Sequence, residues 1–103
     1  MNPRETLNQL TNSSNGINRL KVMIGAKNFA ASKSESCVTF RFTAKAKNKA
    51  NHCKITRNVL DLYDVKFYNI RGINLKEIST HNNIYNDMLK ELFERETELY
   101  LSL

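Results

Sequence analysis

One short segment of the chain alternates between apolar and polar side chains, and this alternation limits the possible folds more than any other feature. In LYDVKFYNI (62–70), Tyr63, Val65 and Phe67 fall on one face of an extended chain, and charged residues lie between them on the other. A strand with this pattern buries one face and leaves the other in water. The pattern therefore predicts an antiparallel sheet that is covered on one side only.

Three other segments are predicted to form further strands of this sheet. CVTFRF (37–42) and HCKITR (52–57) alternate in the same way, and INLKEI (73–78) follows a tight turn and is expected at the sheet edge. The polar ASKSES (31–36) is predicted as a loop before the first of them. Short connections of this kind favour antiparallel neighbours.

A further strand is predicted near the N-terminus. In INRLKVMI (17–24), Leu20, Val22 and Ile24 share a face if the chain is extended. GAKNF (25–29) then interrupts the alternation at its glycine, and it is predicted to form a structural turn.

A helix is predicted at each end of the chain. Asn2 and Pro3 form a favourable helix start, because asparagine caps a helix and proline suits its first turn. The C-terminal helix, capped by Asn82 or Asn83, has a wide apolar face suited to packing on a sheet. Its apolar residues are Ile84, Tyr85, Met88, Leu89, Leu92, Phe93, Leu99 and Tyr100.

Together these elements predict an α+β fold in a single domain, residues 1–103. A short N-terminal helix and loop (1–16) precede a four- to five-stranded antiparallel sheet (17–80), and an amphipathic C-terminal helix and tail (81–103) pack on one face of it. With 103 residues, of which 41% are hydrophobic, the chain has room for one modest core.

Charge is distributed unevenly along the chain, whose formal net charge is +6. Residues 19–57 hold ten Lys or Arg and a single acid, whereas residues 81–103 sum to −3. This asymmetry predicts one basic and one acidic surface. The N-terminus lacks the apolar stretch of a signal peptide, and no apolar run approaches a membrane span of about 18 residues. A cytoplasmic location without membrane association is therefore expected.

The basic character is concentrated around AKAKNKAN (44–51), which is predicted to form a long, mobile hairpin loop with no apolar face. Lysines in such a loop, and cations beside it, are suited to phosphate binding. The predicted nucleic-acid-binding residues are Arg41, Lys45, Lys47, Lys49, Lys54 and Arg57. The alternative is a solvated loop, in a chain whose abundant Asn, Lys and Ile are typical of AT-rich coding. Because no aromatic residue is interleaved in the run, contacts to the nucleic-acid backbone are expected rather than base stacking.

The predicted C-terminal helix carries acids at spacings of three and four residues. Asp87, Glu91, Glu94 and Glu98 fall on one side of it and are predicted to bind a basic partner, with an ordinary solvated helix face as the alternative. A protein-interaction module or homodimer that uses this helix or the open sheet face, without nucleic-acid binding, is the second hypothesis for function.

The sequence contains no motif for catalysis or for a cofactor. Cys37, His52, Cys53 and His81 lack the spacings of a metal site, and adjacent residues such as His52 and Cys53 point to opposite faces of a strand. The cysteines are expected to be small buried residues with reduced thiols. No catalytic residue, metal or cofactor is predicted, and an enzyme is not expected.

Four blocks of the chain carry a family resemblance: GAKNF (25–29), KANHCKI (49–55), DLYDVKF (61–67) and the closing DMLKELF…LYLSL (87–103). In order and spacing they resemble a family of small uncharacterised proteins of bacteriophages, prophages and other mobile elements, with a GAKNF turn, an LYDVxF strand and a C-terminal YxSL tail. The resemblance implies a mobile-element product in a bacterial host cytoplasm and assigns no activity. With the basic surface, it leads us to expect a binding protein that engages nucleic acid or a nucleoprotein complex. One form would be an inhibitor of a host defence system, in the manner of anti-CRISPR proteins.

Overall fold

The computed structural model describes residues 2–101, and in that range the chain forms three helices and one sheet of five strands. In chain order the elements are α1 (Pro3–Thr11), α2 (Gly16–Ile24), β1 (Lys27–Ser32), β2 (Cys37–Arg41), β3 (His52–Arg57), β4 (Tyr63–Arg71), β5 (Asn74–Ile84) and α3 (Leu89–Thr97). A single 3-10 turn, Asn86–Met88, precedes α3. Met1 and the end of the predicted YxSL tail, residues 102–103, lie outside the described residues.

The five strands are antiparallel and follow chain order across the sheet, β1-β2-β3-β4-β5. The radius of gyration is 12.4 Å, close to the value of about 13 Å for a compact folded chain of about 100 residues. The predicted α+β class, in a single compact domain with an antiparallel sheet, is therefore confirmed.

Alternation along the strands separates the two faces of the sheet. One face, termed the covered face, packs against the helices, and its central residues are at most 2% exposed. The cross-strand register places these residues in two rows: Val38, Ile55 and Val65 in one, and Phe40, Cys53 and Phe67 in the other. The other face, termed the open face, carries no helix within residues 2–101, and its central row is Thr39, Lys54 and Lys66.

Helix α3 is fixed on the covered face by one aromatic residue. The ring centroid of Phe93 lies 5.7 Å from those of Phe42 and Phe67 and 6.3 Å from that of Phe40. Helix α1 packs beside α3 and adds Leu7 to the same core. Burial of each such large side chain contributes about 1.5–3 kcal/mol, so this aromatic cluster is a main source of stability.

Residues 17–24 form helix α2, so the strand predicted there is wrong. Leu20 and Ile24, one helical turn apart, are 0% and 2% exposed, whereas Val22 is 72% exposed. A strand would have placed all three on one face. The helix ends at Gly25, whose left-handed backbone (φ 65°) lets the following N–H, that of Ala26, donate back to the carbonyl of Leu20 at 3.2 Å.

The first strand of the sheet is instead β1, which covers residues predicted as a turn and a polar loop. It pairs with β2 through Ala30 with Thr39 and Ser32 with Cys37, after an irregularity that includes Asn28 at φ 57°. Most of its side chains are exposed. β1 therefore lacks the apolar alternation on which its detection in the sequence would depend.

The C-terminal helix begins at Leu89, well after the predicted boundary at residue 81. Residues 81–84 continue β5, in which Ile84 pairs with Tyr63, and Asn83 lies in this strand instead of capping a helix. The edge strand predicted at 73–78 is confirmed and is longer than expected. The buried residues of α3 are Leu89, Leu92, Phe93 and Thr97.

Candidate nucleic-acid interface

The connection between β2 and β3, residues 42–51 and termed the basic loop, presents its lysines outward. Lys45, Lys47 and Lys49 are exposed. Three small residues that alternate with them pack against the core: Ala44, Ala46 and Ala50. The loop therefore has an apolar inward face, which the sequence did not predict. Alanine side chains are too small to produce a recognisable apolar pattern.

The backbone of the basic loop caps the C-terminal ends of two helices. The N–H groups of Thr43 and Ala44 donate to the carbonyl of Ile24 in α2 at 3.2 and 3.1 Å, and the N–H of Lys47 donates to the carbonyl of Thr97 in α3 at 2.9 Å. The last carbonyls of a helix have no partner within it, so these bonds satisfy groups that would otherwise be unpaired. The positive side chains also lie near the negative ends of two helix dipoles.

The second half of the loop is fixed to β4. The side-chain amide of Asn69 donates to the carbonyl of Lys49 at 2.7 Å, and the N–H of Asn51 donates to the carbonyl of Tyr68 at 2.9 Å. Lys49 itself closes a tight turn in the left-handed conformation, at φ 66°. The loop therefore lies against the core, two helix ends and a strand, instead of projecting as the predicted hairpin tip.

The cations of the loop differ in their acidic neighbours. Lys47 Nζ lies 3.2 Å from Glu98 Oε1, and both side chains are exposed. Among residues 2–101, no acidic oxygen lies within 4.0 Å of the side-chain nitrogens of Arg41, Lys45 or Lys49. These three charges are therefore available to an external anion.

Arg41 joins the basic loop to the open face of the sheet. It is the last residue of β2, it is exposed, and its cross-strand partners are Lys27 of β1 and His52 of β3. Burial and, to a lesser degree, the Arg41 guanidinium lower the pKa of His52 below its ordinary value of 6.5. His52 is therefore neutral at pH 7, and the positive charge here belongs to Arg41 and Lys27.

The remaining two predicted nucleic-acid-binding residues lie apart from the loop. Lys54 is in the middle of the open face, with its Nζ 4.0 Å from Glu35 Oε2. Arg57 is at the far end of β3, on the side of the covered face, with its Nε 3.5 Å from Asp61 Oδ1. Residues 52–57 span about 17 Å at about 3.3 Å per residue. Arg41 thus directly precedes the basic loop and its three lysines at one end of the sheet, Lys54 lies two residues along β3 from that end, and Arg57 lies at the opposite end.

The register also places an aromatic residue in the same cross-strand row as Arg41, an alignment that the linear sequence does not show. Tyr68 of β4 is the cross-strand partner of His52, which in turn partners Arg41. These three side chains form one row across the open face, termed the aromatic row. Both rings are partly exposed. No signal in the Lys-rich run could reveal Tyr68, because only strand pairing connects them.

The four acids predicted to bind a partner line one shallow groove of about 770 Å³ between α3 and α1. They are Asp87, Glu91, Glu94 and Glu98. Two of them have structural contacts: Glu94 accepts a hydrogen bond from the N–H of Leu101 at 2.8 Å, and Glu98 pairs with Lys47. The groove also contains basic residues, Lys90 and Arg95, so its charge is mixed.

The cysteines are free, buried and on opposite faces of the sheet. Cys37 is 4% exposed and follows the parity of the open face, whereas Cys53 is 1% exposed in the core. Burial raises the pKa of the Cys53 thiol, which keeps it protonated and unreactive. Cys37 Sγ lies 3.7 Å from Glu35 Oε2. Both positions fit the predicted role of small buried residues.

No protein-family model, curated protein or solved structure matches the chain. In the part of the chain that the structure describes, no three His, Cys, Asp or Glu side chains are grouped so as to hold a metal ion. No helix within residues 2–101 is long and apolar enough to cross a membrane. Interpretation of the site therefore depends on its own geometry and charge.

Proposed function

We propose that this chain is a small non-enzymatic protein that binds nucleic acid, or a nucleoprotein complex, through the basic loop and Arg41. One observation carries the proposal: Lys45 and Lys49 are exposed, have no acidic neighbour among residues 2–101, and extend from a backbone that is hydrogen-bonded to two helix ends and to β4. A cation held on a fixed backbone loses less conformational freedom when it meets a phosphate than one on a free loop.

The binding would be mainly electrostatic. Each phosphate that is neutralised by Lys or Arg releases condensed counterions, so affinity falls as salt rises. Arg41 and the lysines of the loop would neutralise about three or four phosphates, which corresponds to a slope of log K against log salt between about −2 and −4. Contacts of this kind fix the position of the protein on the nucleic-acid backbone and carry little sequence information.

The test is binding of labelled DNA and RNA, single- and double-stranded, across a salt series of about 50 to 200 mM. The double variant Lys45→Gln, Lys49→Asn removes two charges, and asparagine is chosen because it tolerates the left-handed backbone at residue 49. We expect the slope to become shallower by about 1.4 to 1.8. The control Lys33→Gln, Lys76→Gln removes two exposed charges outside the loop and should leave the slope unchanged. Equal effects of the two variants, or no binding by the native chain at low salt, would refute the proposal.

A more specific form of the proposal is that the chain belongs to the phage proteins it resembles and inhibits a host defence nuclease. Small size and a basic surface suit a protein that occupies a nucleic-acid channel in such a complex. Cleavage by a purified RNA-guided nuclease, assayed with native chain and with the Lys45→Gln, Lys49→Asn variant, tests this form. Inhibition by the native chain alone supports it, and full cleavage in both cases contradicts it.

The alternative proposal is a protein-interaction module or homodimer, and a different region supports it. The β4–β5 hairpin ends in exposed apolar residues, with Ile73 fully exposed and Leu75 62% exposed, and β5 is an edge strand of eleven residues. Edge strands of this length pair readily with other chains. Sedimentation of the native chain and of the variant Ile73→Ser, Leu75→Thr would detect a dimer that depends on this hairpin; a monomer at all concentrations would contradict the homodimer.

A further inference from the structure

The aromatic row places a cation and two rings in neighbouring strands of the open face, which no helix of the described part of the chain covers. Arg41, His52 and Tyr68 are consecutive cross-strand partners in β2, β3 and β4. Neighbouring strands are about 4.7–4.9 Å apart, so the row is about 10 Å across. One extended nucleic-acid strand could therefore contact all three side chains.

We infer that the open face takes single-stranded nucleic acid, whose bases stack on Tyr68 and His52 while Arg41 and the basic loop hold the adjoining phosphates. The inference rests on the proposed function and adds to it a second set of contacts, made to bases instead of phosphates. It also replaces the expectation, drawn from the sequence, that base stacking plays no part.

The two rings are not required by the core. Their chain neighbours Phe67 and Cys53 are the residues that pack on the covered face, at 0% and 1% exposed, while Tyr68 and His52 point the other way and remain partly exposed. The Nδ1 atom of His52 is buried and has no hydrogen-bond partner within residues 2–101, so the exposed part of this ring is its other side. The imidazole is neutral at pH 7, so a base can stack on it without desolvating a charge.

The charges around the row favour one path for the strand. In the middle of the open face, Lys54 and Lys66 have acidic neighbours, Glu35 at 4.0 Å and Glu77 at 3.7 Å. Glu77 is also the cross-strand partner of Tyr68, so the row ends in an acid whose charge is compensated by Lys66. Asp64, farther along the same face, accepts hydrogen bonds from Asn58 and Asn83. The uncompensated positive charge therefore lies at the end of the face that holds Arg41 and the basic loop. A strand would cross from that loop over Arg41 onto the two rings.

A duplex would not use this surface in the same way. Its bases are stacked within the helix, whereas stacking on a side chain needs a free face of the base. Duplex contacts would be limited to phosphates and would involve the basic loop and Arg41, without the rings of His52 and Tyr68. The inference therefore predicts that loss of a ring weakens single-strand binding and leaves duplex binding intact.

The experiment measures dissociation constants by fluorescence anisotropy for a labelled oligothymidylate and for a duplex of the same length. In the variant Tyr68→Leu we expect affinity for the single strand to fall about tenfold, the size typical of one lost base–aromatic stack, with duplex affinity unchanged. Tyr68→Phe keeps the ring and should stay within about twofold of the native chain. Tyr85→Leu removes an exposed tyrosine outside the row and serves as the control. Circular dichroism confirms that each variant is folded.

The outcomes separate this inference from the proposed function. If Tyr68→Leu binds the single strand as well as the native chain does, while Lys45→Gln, Lys49→Asn weakens it, the inference is wrong and the proposed function stands. If Tyr68→Phe is as weak as Tyr68→Leu, the ring is not a stacking surface and the inference also fails. If the native chain binds neither probe at low salt, both are refuted.

Discussion

The two faces of the sheet consist of alternate residues of the same strands, yet their surroundings differ. On the covered face, Val65 and Phe67 are buried against the helices. On the open face, Lys66 and Tyr68, their neighbours in the chain, are partly exposed, and none of the helices in residues 2–101 packs over them. Because successive side chains of a strand point to opposite faces, one strand contributes residues to the core and also to a chemically distinct surface. It follows that neighbouring substitutions in β4 should have opposite consequences, one for stability and the other for binding.

The largest effect is expected at the centre of the covered face. Phe67→Ala removes a fully buried ring that contacts Phe93, so the free energy of unfolding should fall by about 3–5 kcal/mol. Tyr68→Leu, one residue away, should change it by less than about 1 kcal/mol, because that ring is outside the core. Urea denaturation measures both. If both variants lose a similar amount of unfolding free energy, the proposed difference between the covered face and the open face is wrong.

Helix α2 allows a second comparison of a buried residue with an exposed one, here on opposite faces of a helix. Leu20→Ala should cost about 2–5 kcal/mol, whereas Val22→Ala should cost less than about 0.5 kcal/mol, because Leu20 is buried and Val22 is not. The same denaturation experiment applies. If the two variants lose similar amounts of unfolding free energy, residues 17–24 form the strand predicted from the sequence, and the helix is contradicted.

A smaller effect concerns pH and the open face. The pKa of His52 is below 6.5 in the folded chain, so the unfolded chain binds a proton more readily. The free energy of unfolding therefore rises with pH between the lowered pKa of His52 and about 6.5. Above that range the contribution of neutral His52 is complete. His52→Gln should flatten this part of the stability–pH curve measured by thermal melting. Unchanged curvature in the variant would show that another group is responsible.

The smallest effect is expected for the basic loop. The double variant Lys45→Gln, Lys49→Asn should leave the free energy of unfolding within about 0.5 kcal/mol of the native value, because both charges are exposed and pair with no acid among the described residues. The same variant is expected to weaken nucleic-acid binding. A loss well above 1 kcal/mol would indicate that the lysines serve mainly to stabilise the helix ends beneath them.

The fold was predictable where burial leaves a strong periodic pattern. The central residues of strands β2, β3 and β4 alternate between buried and partly buried positions, and Leu89, Leu92 and Phe93 mark the final helix. At 17–24 the sequence fits two periods at once, since Leu20 and Ile24 are compatible with both, and only packing against α1 decides in favour of the helix. β1 is exposed along most of its length and leaves no pattern to detect.

The candidate site was predictable only in part, for a related reason. Lysines at 45, 47 and 49 are visible in the sequence as a run, but the alanines that turn them outward are not visible as a face. The aromatic row depends on the pairing of Arg41 with His52 and of His52 with Tyr68, which is a property of three strands together. Arg57 was grouped with the run because it is near in sequence, although β3 carries it to the far end of the sheet.

The most direct test of the central claim is an NMR titration of the isotope-labelled chain with a short oligothymidylate. If the open face and the basic loop form the binding surface, resonances of residues 42–51 and of the Arg41, His52 and Tyr68 side chains should shift. Those of Val65 and Phe67 on the covered face, and of the acidic groove around Glu91, should not. Shifts confined to the groove or to the tip of the β4–β5 hairpin, or no shifts at all, would contradict the claim.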